Sequence, residues 1–361
     1  MSSPPQSGKH VHWQPLADLL NSSADPKGGP GLPGFDSEFS GIVDFIIKIT
    51  HRIWEQKNTG LCYDYYADPC PVHTLGAYSE SVADVVQNTL TMVAAFPDRA
   101  LIGENVVWSD EGQDRYYSSH RITSTMTHTG ACEFGPATGR NAWVTTIADC
   151  VCHNNRIEYE WLMRDNSFLA KQLGLDPLKV AAQWAENRSH TAFAPWWESE
   201  YQRVSKLDVR ATADWPVEPE ANAIAHAWVQ TLLNRKEFGA IESFYHSSAR
   251  VLWPGGRHPV GLRGITGTFI QWLSQFSDTS ASCDHVAMTP FGPNTMDIAI
   301  RWTLAGRYSG KEQALQHCRG LPVLVLASTH LRVQDGRIIE EATVFDEISM
   351  VANLLRRQAT S

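Results

Sequence analysis

A short acidic pattern occurs twice in this chain, and its carboxylates could do proton chemistry. Adding 181 to the numbers of Arg156, Ile157, Glu160 and Asp165 gives Arg337, Ile338, Glu341 and Asp346. Strand alternation places Asp165 on one face with Trp161 and Met163, where loss of water raises the pKa of a carboxyl toward neutrality. Such a group can act as a general base or acid. The alternative is structural, because an aspartate before Ser167 can also cap a helix.

Two more polar residues are also 181 positions apart, each one strand before the aspartate of its copy. Asp149 and His330 each lie in an otherwise apolar strand. Asp149 with Asp165 would form a carboxylate pair with divergent pKa values, and His330 with Asp346 would form an acid–base dyad. Either residue could instead be a hydrogen-bonded core residue. Asp346 has a less aromatic setting than Asp165, so the second copy could be a degenerate one kept for packing.

Aromatic residues near these carboxylates are predicted to line a substrate pocket. A tyrosine hydroxyl there could donate a hydrogen bond to a substrate oxyanion, although simple burial would also explain most of the rings. The predicted substrate-binding residues are Tyr63, Tyr65, Tyr66, Trp143, Tyr159, Trp161 and Met163.

Composition excludes several classes of partner. The net charge is -9, with 39 acidic and 30 basic residues and no basic run, which argues against nucleic-acid binding. No apolar stretch is long enough to span a membrane, and no secretory signal is evident, so we expect a soluble cytoplasmic protein. Strand alternation separates Cys150 and Cys152 from His153, so no metal site is expected there. Phosphate-loop and dinucleotide motifs are absent, which favours chemistry without a cofactor.

Two domains follow from the order of predicted elements. A Pro/Gly-rich arm is predicted for residues 1–38, a first domain for 39–176, a Trp/Pro-rich connector for 177–219 and a second domain for 220–361. Each domain begins with helices and continues with a run of strands that must curve around them to bury their apolar faces. The predicted class is therefore α+β, with two mostly antiparallel sheets.

Motifs in both copies resemble the SnoaL-like polyketide cyclases of the nuclear-transport-factor-two-like superfamily. They include Thr138-Gly139-Arg140, Glu160-Trp161-Leu162-Met163-Arg164-Asp165 and Asp335-Gly336-Arg337-Ile338-Ile339-Glu340-Glu341. The resemblance implies two tandem cones, each a strongly curved sheet around about three helices with a pocket at its open end. It also implies an aspartate base at Asp165 and a proton-handling group at His73 on the first strand.

The leading functional hypothesis is a cofactor-independent enzyme that removes a proton next to the carbonyl of a small or medium molecule. Aldol cyclisation, dehydration and isomerisation all begin in this way. One alternative is a non-catalytic binding or assembly protein with an internal pseudo-dimer, which could pair again as a homodimer. A second alternative is a carboxylate-assisted hydrolase, which would need an Asp–Arg–Asp arrangement that spacing alone does not reveal.

Overall fold

The structure is a computed structural model that describes residues 14–15, 32–187, 193–207 and 215–359. Most of the predicted arm, residues 1–38, lies outside the described residues, as do parts of the predicted connector. The first half comprises the described residues up to Gln172, and the second half comprises those from Pro219 onward.

The first half is a seven-stranded sheet with helices on its concave side. The strands are β1 (Gln14–Pro15), β2 (Val72–His73), β3 (Tyr78–Ser79), β4 (Ala100–Gly112), β5 (Arg115–Thr127), β6 (Asn141–His153) and β7 (Arg156–Arg164). The helices are α1 (Ile42–Thr50), α2 (Cys62–Tyr65), α3 (Val82–Ala95) and α4 (Asn166–Gln172). The strand order is β1-β4-β5-β6-β7-β2-β3, and only the β2–β7 pairing is parallel. Helix α1 buries its isoleucines because they recur at helical spacing.

The second half is a five-stranded sheet preceded by two connecting helices. The connecting helices are α5 (Pro177–Asn187) and α6 (Phe193–Ser205), and those of the second half are α7 (Pro219–Trp228), α8 (Ile241–Phe244), α9 (Gly261–Leu273) and α10 (Glu347–Ala359). The strands are β8 (Tyr245–Leu252), β9 (Phe276–Gly292), β10 (Thr295–Tyr308), β11 (Pro322–Gln334) and β12 (Arg337–Phe345), in the order β8-β12-β11-β10-β9.

The two halves share the order of their main elements, although strands β1 and β3 have no counterpart in the second half. Helices α1 and α7 both continue into a π-helical turn, at His51–Glu55 and Val229–Asn234, and helices α2 and α8 both follow a short 3₁₀ turn. In both sheets the first strand of the repeat runs parallel to the last one. The predicted class is therefore confirmed: the fold is α+β, with two mostly antiparallel sheets. The exact domain boundaries stay a prediction.

The convex faces of the two sheets pack against each other. Val107 and Tyr117 of the first sheet contact Ala287 and Ala299 of the second in one buried cluster. Polar groups join the sheets around this cluster. Arg121 Nη2 donates to Glu340 Oε1 at 2.7 Å, a buried bond that links strands β5 and β12.

A β-bulge corrects the predicted face of strand β7. Strand β6 pairs Val151 with Tyr159 and Cys152 with Ile157, so Glu158 has no partner in the ladder. The extra residue reverses the alternation between Ile157 and Tyr159. Regular alternation, which would predict one shared face for these two residues, therefore fails at this point of the strand. Residues Tyr159, Trp161 and Met163 face away from the cone interior, and Met163 packs in the core shared with the second half.

Candidate active site

The concave side of the first sheet encloses a cavity of about 70 Å³ below helix α1. The volume is small beside the roughly 300–1,000 Å³ of sites for drug-sized ligands. Its apolar walls are formed by Ile46, Ile49, Ile53, Trp54, Leu101, Ile122, Ala148, Ile157 and Leu162, and its polar groups come from Thr50, Tyr66, Arg99, His120, Thr146, Cys150, Glu160 and Arg164. A few polar groups in an apolar cavity are typical of a small-molecule site.

Glu160 is the carboxyl of this cavity. It is 7% exposed, and burial raises its pKa to about 7, while the neighbouring Tyr66 hydroxyl and the charge of Arg164 oppose the rise. Burial, and then the charge of Glu160, raises the pKa of Tyr66 well above its usual value. Glu160 can therefore exchange a proton near neutral pH, and Tyr66 keeps its proton and can donate a hydrogen bond.

His120 and Thr146 bring unpaired polar atoms to the same cavity. Both side chains are buried, and neither His120 Nε2 nor Thr146 Oγ1 has a hydrogen-bond partner among the described residues. Burial lowers the pKa of His120 to about 3, so its imidazole is neutral at physiological pH. Buried polar atoms without partners are costly, so a bound molecule or water that supplies hydrogen bonds would be stabilised here.

Arginines supply the positive charge. Arg99 donates from Nε and Nη2 to Ser124 Oγ, at 3.0 and 2.8 Å, and its guanidinium lies 5.2 Å from the centre of the Trp54 ring. Burial, and then the charge of Arg164, lowers the pKa of Arg99 to about 9, so it remains charged at neutral pH. Two cations on an apolar wall can stabilise negative charge that develops in a bound molecule.

The equivalent carboxyl of the second half, Glu341, is fully hydrogen-bonded. It accepts from Trp253 Nε1 at 2.6 Å, from Thr343 Oγ1 at 2.7 Å and from the Tyr245 hydroxyl. Aromatic side chains surround it, and their rings contact one another: Trp228, Trp253, Phe269, Trp272, Trp302 and Phe345. These buried rings pack together in the interior that corresponds to the cavity of the first half, and Glu341 also borders a separate cavity of about 670 Å³ that Trp143 lines.

The two aspartates predicted as bases both cap helices. Asp165 Oδ1 accepts from Phe168 N at 3.0 Å, from Ser167 Oγ at 2.9 Å and from Gly255 N, in the second half, at 2.8 Å. Burial raises the pKa of Asp165 to about 6, and the hydrogen bond from Gly255 opposes the rise. Asp346 accepts from Ser349 N at 3.0 Å and from Asn166 Nδ2 at 2.6 Å. Both residues thus hold the capping position, and their catalytic role stays a prediction.

The variant Asp165→Ala should lower the free energy of unfolding by about 2–3 kcal/mol. Loss of a helix cap costs about 1 kcal/mol, and the buried Gly255 amide would lose its acceptor at a cost of about 1–2 kcal/mol. Urea unfolding at neutral pH measures the change. Ser81→Ala removes an exposed cap of helix α3 and should cost about 1 kcal/mol. Equal losses in the two variants would contradict the role of Asp165 in joining the halves.

Asp149 and His330 meet at the contact between the sheets and not in a cavity. Ser119 Oγ donates to Asp149 Oδ1 and lies 2.7 Å from His330 Nε2, and all three side chains are buried. Burial raises the pKa of Asp149 and, together with the charge of Arg121, lowers that of His330 well below its usual value. The expected pairs, Asp149 with Asp165 and His330 with Asp346, are not among the hydrogen bonds of the described residues.

The remaining predicted residues are dispersed. Of the three tyrosines, only Tyr66 lines the cavity, whereas Tyr63 is 51% exposed and Tyr65 is buried beside Arg52. His73 and Trp161 stack on each other at the junction of the halves, with ring centres 5.6 Å apart. Three more predicted residues also lie outside the cavity of the first half: Trp143, Tyr159 and Met163.

Sequence reasoning missed Glu160, His120, Arg99 and Arg164 as members of one site. The signal was present for Glu160, since it recurs as Glu341 in the middle of a strand. Glu160 was missed because the aromatic and apolar face of strand β7 was expected to line the pocket, whereas Glu160, Leu162 and Arg164 on the other face line it.

The described residues hold no cluster of three or more His, Cys, Asp or Glu side chains able to bind a metal ion. None of the described helices has the length and apolar character needed to span a bilayer.

Comparison with known proteins identifies the family of the second half. Residues 223–354 match the sequence profile of the SnoaL-like polyketide cyclase family. The second half is a SnoaL-like domain. No curated protein matches the chain at a significant level.

Several solved structures are similar to about a third of this chain. A candidate polyketide cyclase from Acidithiobacillus ferrooxidans is 20% identical, with 36% of this chain and 92% of that chain covered and a TM-score of 0.32. IdmH, a candidate polyketide cyclase from Streptomyces antibioticus, is 18% identical, with 37% and 98% covered and a TM-score of 0.32. TsrD from Streptomyces laurentii is 16% identical, with 37% and 94% covered and a TM-score of 0.33.

The SnoaL-like second half is thus the one with the filled interior. The profile match includes Glu341 and the aromatic rings around it, whereas the cavity with Glu160 lies in the first half.

Proposed function

We propose that the first half is a cofactor-independent acid–base enzyme that removes a proton from the carbon next to a carbonyl of a small molecule. The observation that carries the proposal is the setting of Glu160. Its carboxyl has a pKa of about 7 and lines a small, mostly apolar cavity beside Tyr66. A base whose pKa lies near the operating pH combines a large ionised fraction with sufficient basicity.

Each polar group of the cavity has a role in this reaction. The Glu160 carboxylate accepts the proton from carbon, and the negative charge moves to the carbonyl oxygen as the enolate forms. The Tyr66 hydroxyl donates a hydrogen bond to that oxygen, and Arg164 stabilises its charge. The neutral His120 and Thr146 orient the substrate through their unpaired atoms. Aldol closure, dehydration or isomerisation would follow from the enolate.

The size of the cavity restricts the substrate. A volume of about 70 Å³ is smaller than the roughly 150 Å³ cavity that accommodates benzene. The proposed substrate is therefore a small carbonyl compound, or a larger molecule that inserts only its reacting end. Thr50, Trp54 and Leu162 are half-buried, so a ligand would enter between them.

The proposed role of the second half is structural. Glu341 has three hydrogen-bond donors, and the surrounding rings occupy the space that a substrate would need. This half would support the first sheet from its convex side. The two halves together would then form the internal pseudo-dimer that the non-catalytic alternative describes.

The rate of proton removal should rise with pH through about 7, because only the ionised form of Glu160 is a base. The test measures deuterium incorporation from D₂O next to the carbonyl of small ketones, from acetone to cyclohexanone, by mass spectrometry. A tenfold loss of rate per pH unit is expected on the acidic side. A flat profile from pH 5 to 9, or no exchange above that of the buffer with any ketone, would contradict the proposal.

A further inference from the structure

A second and larger cavity lies where the two halves meet the connecting helix α6. Its volume is about 600 Å³, in the range of small-molecule sites. The first half contributes His73 and Trp161, helix α6 contributes Trp196, and the second half contributes Arg301. This cavity is separate from the one that holds Glu160, since the two have no lining residue in common.

One wall of this cavity is a column of planar groups. The His73 ring lies 5.2 Å from the ring centre of Trp196 and 5.6 Å from that of Trp161. The Arg301 guanidinium lies 3.5 Å from the Trp161 ring centre. Such stacking fixes the guanidinium plane by a cation–π contact and leaves its N–H groups at the edge of the column.

Arg301 carries a positive charge without a carboxylate in ion-pair contact. None of the ion pairs among the described residues includes Arg301. The charge of Arg301 acts on the buried Asp149 carboxyl and on the Tyr117 hydroxyl, but neither forms an ion pair with it among the described residues. By contrast, Arg203 on the same cavity pairs with Asp284 at 2.8 Å and with Glu200. Arg301 is therefore the lining arginine whose charge is available to a ligand.

Two N–H donors of this cavity lack acceptors. The buried Nε of Arg301 and Nε1 of Trp215 have no hydrogen-bond partner among the described residues, and both side chains line the cavity. Burial, and then the charge of Arg301, lowers the pKa of His73 to about 4, so His73 adds no second positive charge at neutral pH. One available cation beside the carboxylates of Glu200 and Asp284 suits a monoanion better than a dianion.

We propose that this cavity is a binding site for a small aromatic monocarboxylate. The carboxylate of the ligand accepts charge-assisted hydrogen bonds from Arg301 and a hydrogen bond from Trp215. The ring of the ligand packs against Trp196 and Trp215. The site goes beyond the proposed reaction, because it involves none of the groups around Glu160.

Benzoate is the test probe, and benzamide is its neutral counterpart of the same shape. Isothermal titration calorimetry of the full chain at pH 7 should show saturable benzoate binding and at least about tenfold weaker binding of benzamide, since removing the charge removes a charge-assisted pair. The variant Arg301→Gln should weaken benzoate binding by at least about tenfold, and Trp215→Phe should weaken it by a smaller factor.

Controls separate this site from general effects. Arg250→Gln removes a largely exposed arginine outside this cavity and should leave benzoate binding unchanged, as should Glu160→Gln. Circular dichroism confirms folding of each variant. If Arg301→Gln does not fold, the benzoate-to-benzamide comparison on the wild-type chain decides. Equal affinity for the two probes, wild-type affinity in a folded Arg301→Gln, or no benzoate binding up to about 10 mM would overturn the proposal.

Discussion

Replacing Glu160 with glutamine should lower the rate of proton removal by about 10²–10⁴-fold, the usual contribution of a general base. Glutamine has nearly the same shape but cannot accept the proton. The matched control is Glu341→Gln at the equivalent position of the second half, where aromatic rings fill the interior. This control should stay within about twofold of the wild-type rate per folded molecule. If Glu341→Gln lost activity and Glu160→Gln stayed active, the catalytic role would belong to the second half and the structural role to the first.

The same substitution should stabilise the protein above neutral pH. The pKa of Glu160 rises from 4.5 to about 7 on folding, so the folded state binds this proton more tightly than the unfolded chain. Its contribution to stability is therefore fully present below about pH 4.5 and lost as the pH rises through about 7. Glutamine is neutral at every pH.

At pH 8 the Glu160→Gln variant should thus exceed the wild type in free energy of unfolding by up to about 3 kcal/mol, and near pH 4 the two should be similar. Urea unfolding at both pH values measures the difference. Lower activity together with higher stability distinguishes a catalytic carboxylate from a structural one, which would lose stability on substitution. A loss of stability at pH 8 would assign Glu160 a structural role.

Replacing Arg121 with alanine should lower the free energy of unfolding by about 3–5 kcal/mol, the second large effect expected here. Arg121 is 3% exposed and binds Glu104 Oε2 at 2.9 Å and Glu340 Oε1 at 2.7 Å. Its removal leaves the buried Glu104 carboxylate without its ion-pair partner where the sheets meet, and it leaves Glu340 with only Arg250 and the more distant Arg332. The cost of such uncompensated charge exceeds the value of an exposed pair several-fold.

Arg250→Ala is the matched control for Arg121→Ala. Arg250 also binds Glu340, at 3.1 Å, but its side chain is 77% exposed, so we expect a loss below about 1 kcal/mol. Urea unfolding at pH 7 compares the two variants. Similar losses would show that the contact between the sheets does not depend on buried charge.

The order of elements could be predicted from the sequence because it depends on local periodicity and on breakers. Isoleucines recur at helical spacing in the segment of helix α1, and the pattern repeated at a spacing of 181 indicates that strands β7 and β12 are equivalent. The direction of the side chains could not be predicted in the same way. One unpaired residue, Glu158, reverses the alternation of strand β7, and a bulge has no reliable signal in a single sequence.

The face of the first sheet that carries Trp161 and Met163 was expected to line a pocket because it is aromatic and apolar. In the structure Met163 is buried in the core shared with the second half, and Trp161 lines the cavity where the two halves meet. An apolar face has the same pattern whether it covers helices or another sheet. Only the tertiary arrangement distinguishes the two, and it places the polar Glu160 inside the cone.

Asp149 and His330 lie 181 residues apart in the sequence, and the Ser119 hydroxyl links them where the sheets meet. Two identical chains paired in this way would present the same side chain from both sides, so a buried carboxyl would face its own copy and the two would repel each other. In a single chain the two positions can hold different residues. Here one half carries an acid and the other an imidazole, with the Ser119 hydroxyl between them. A single chain thus permits an asymmetric contact that a symmetric pair cannot form.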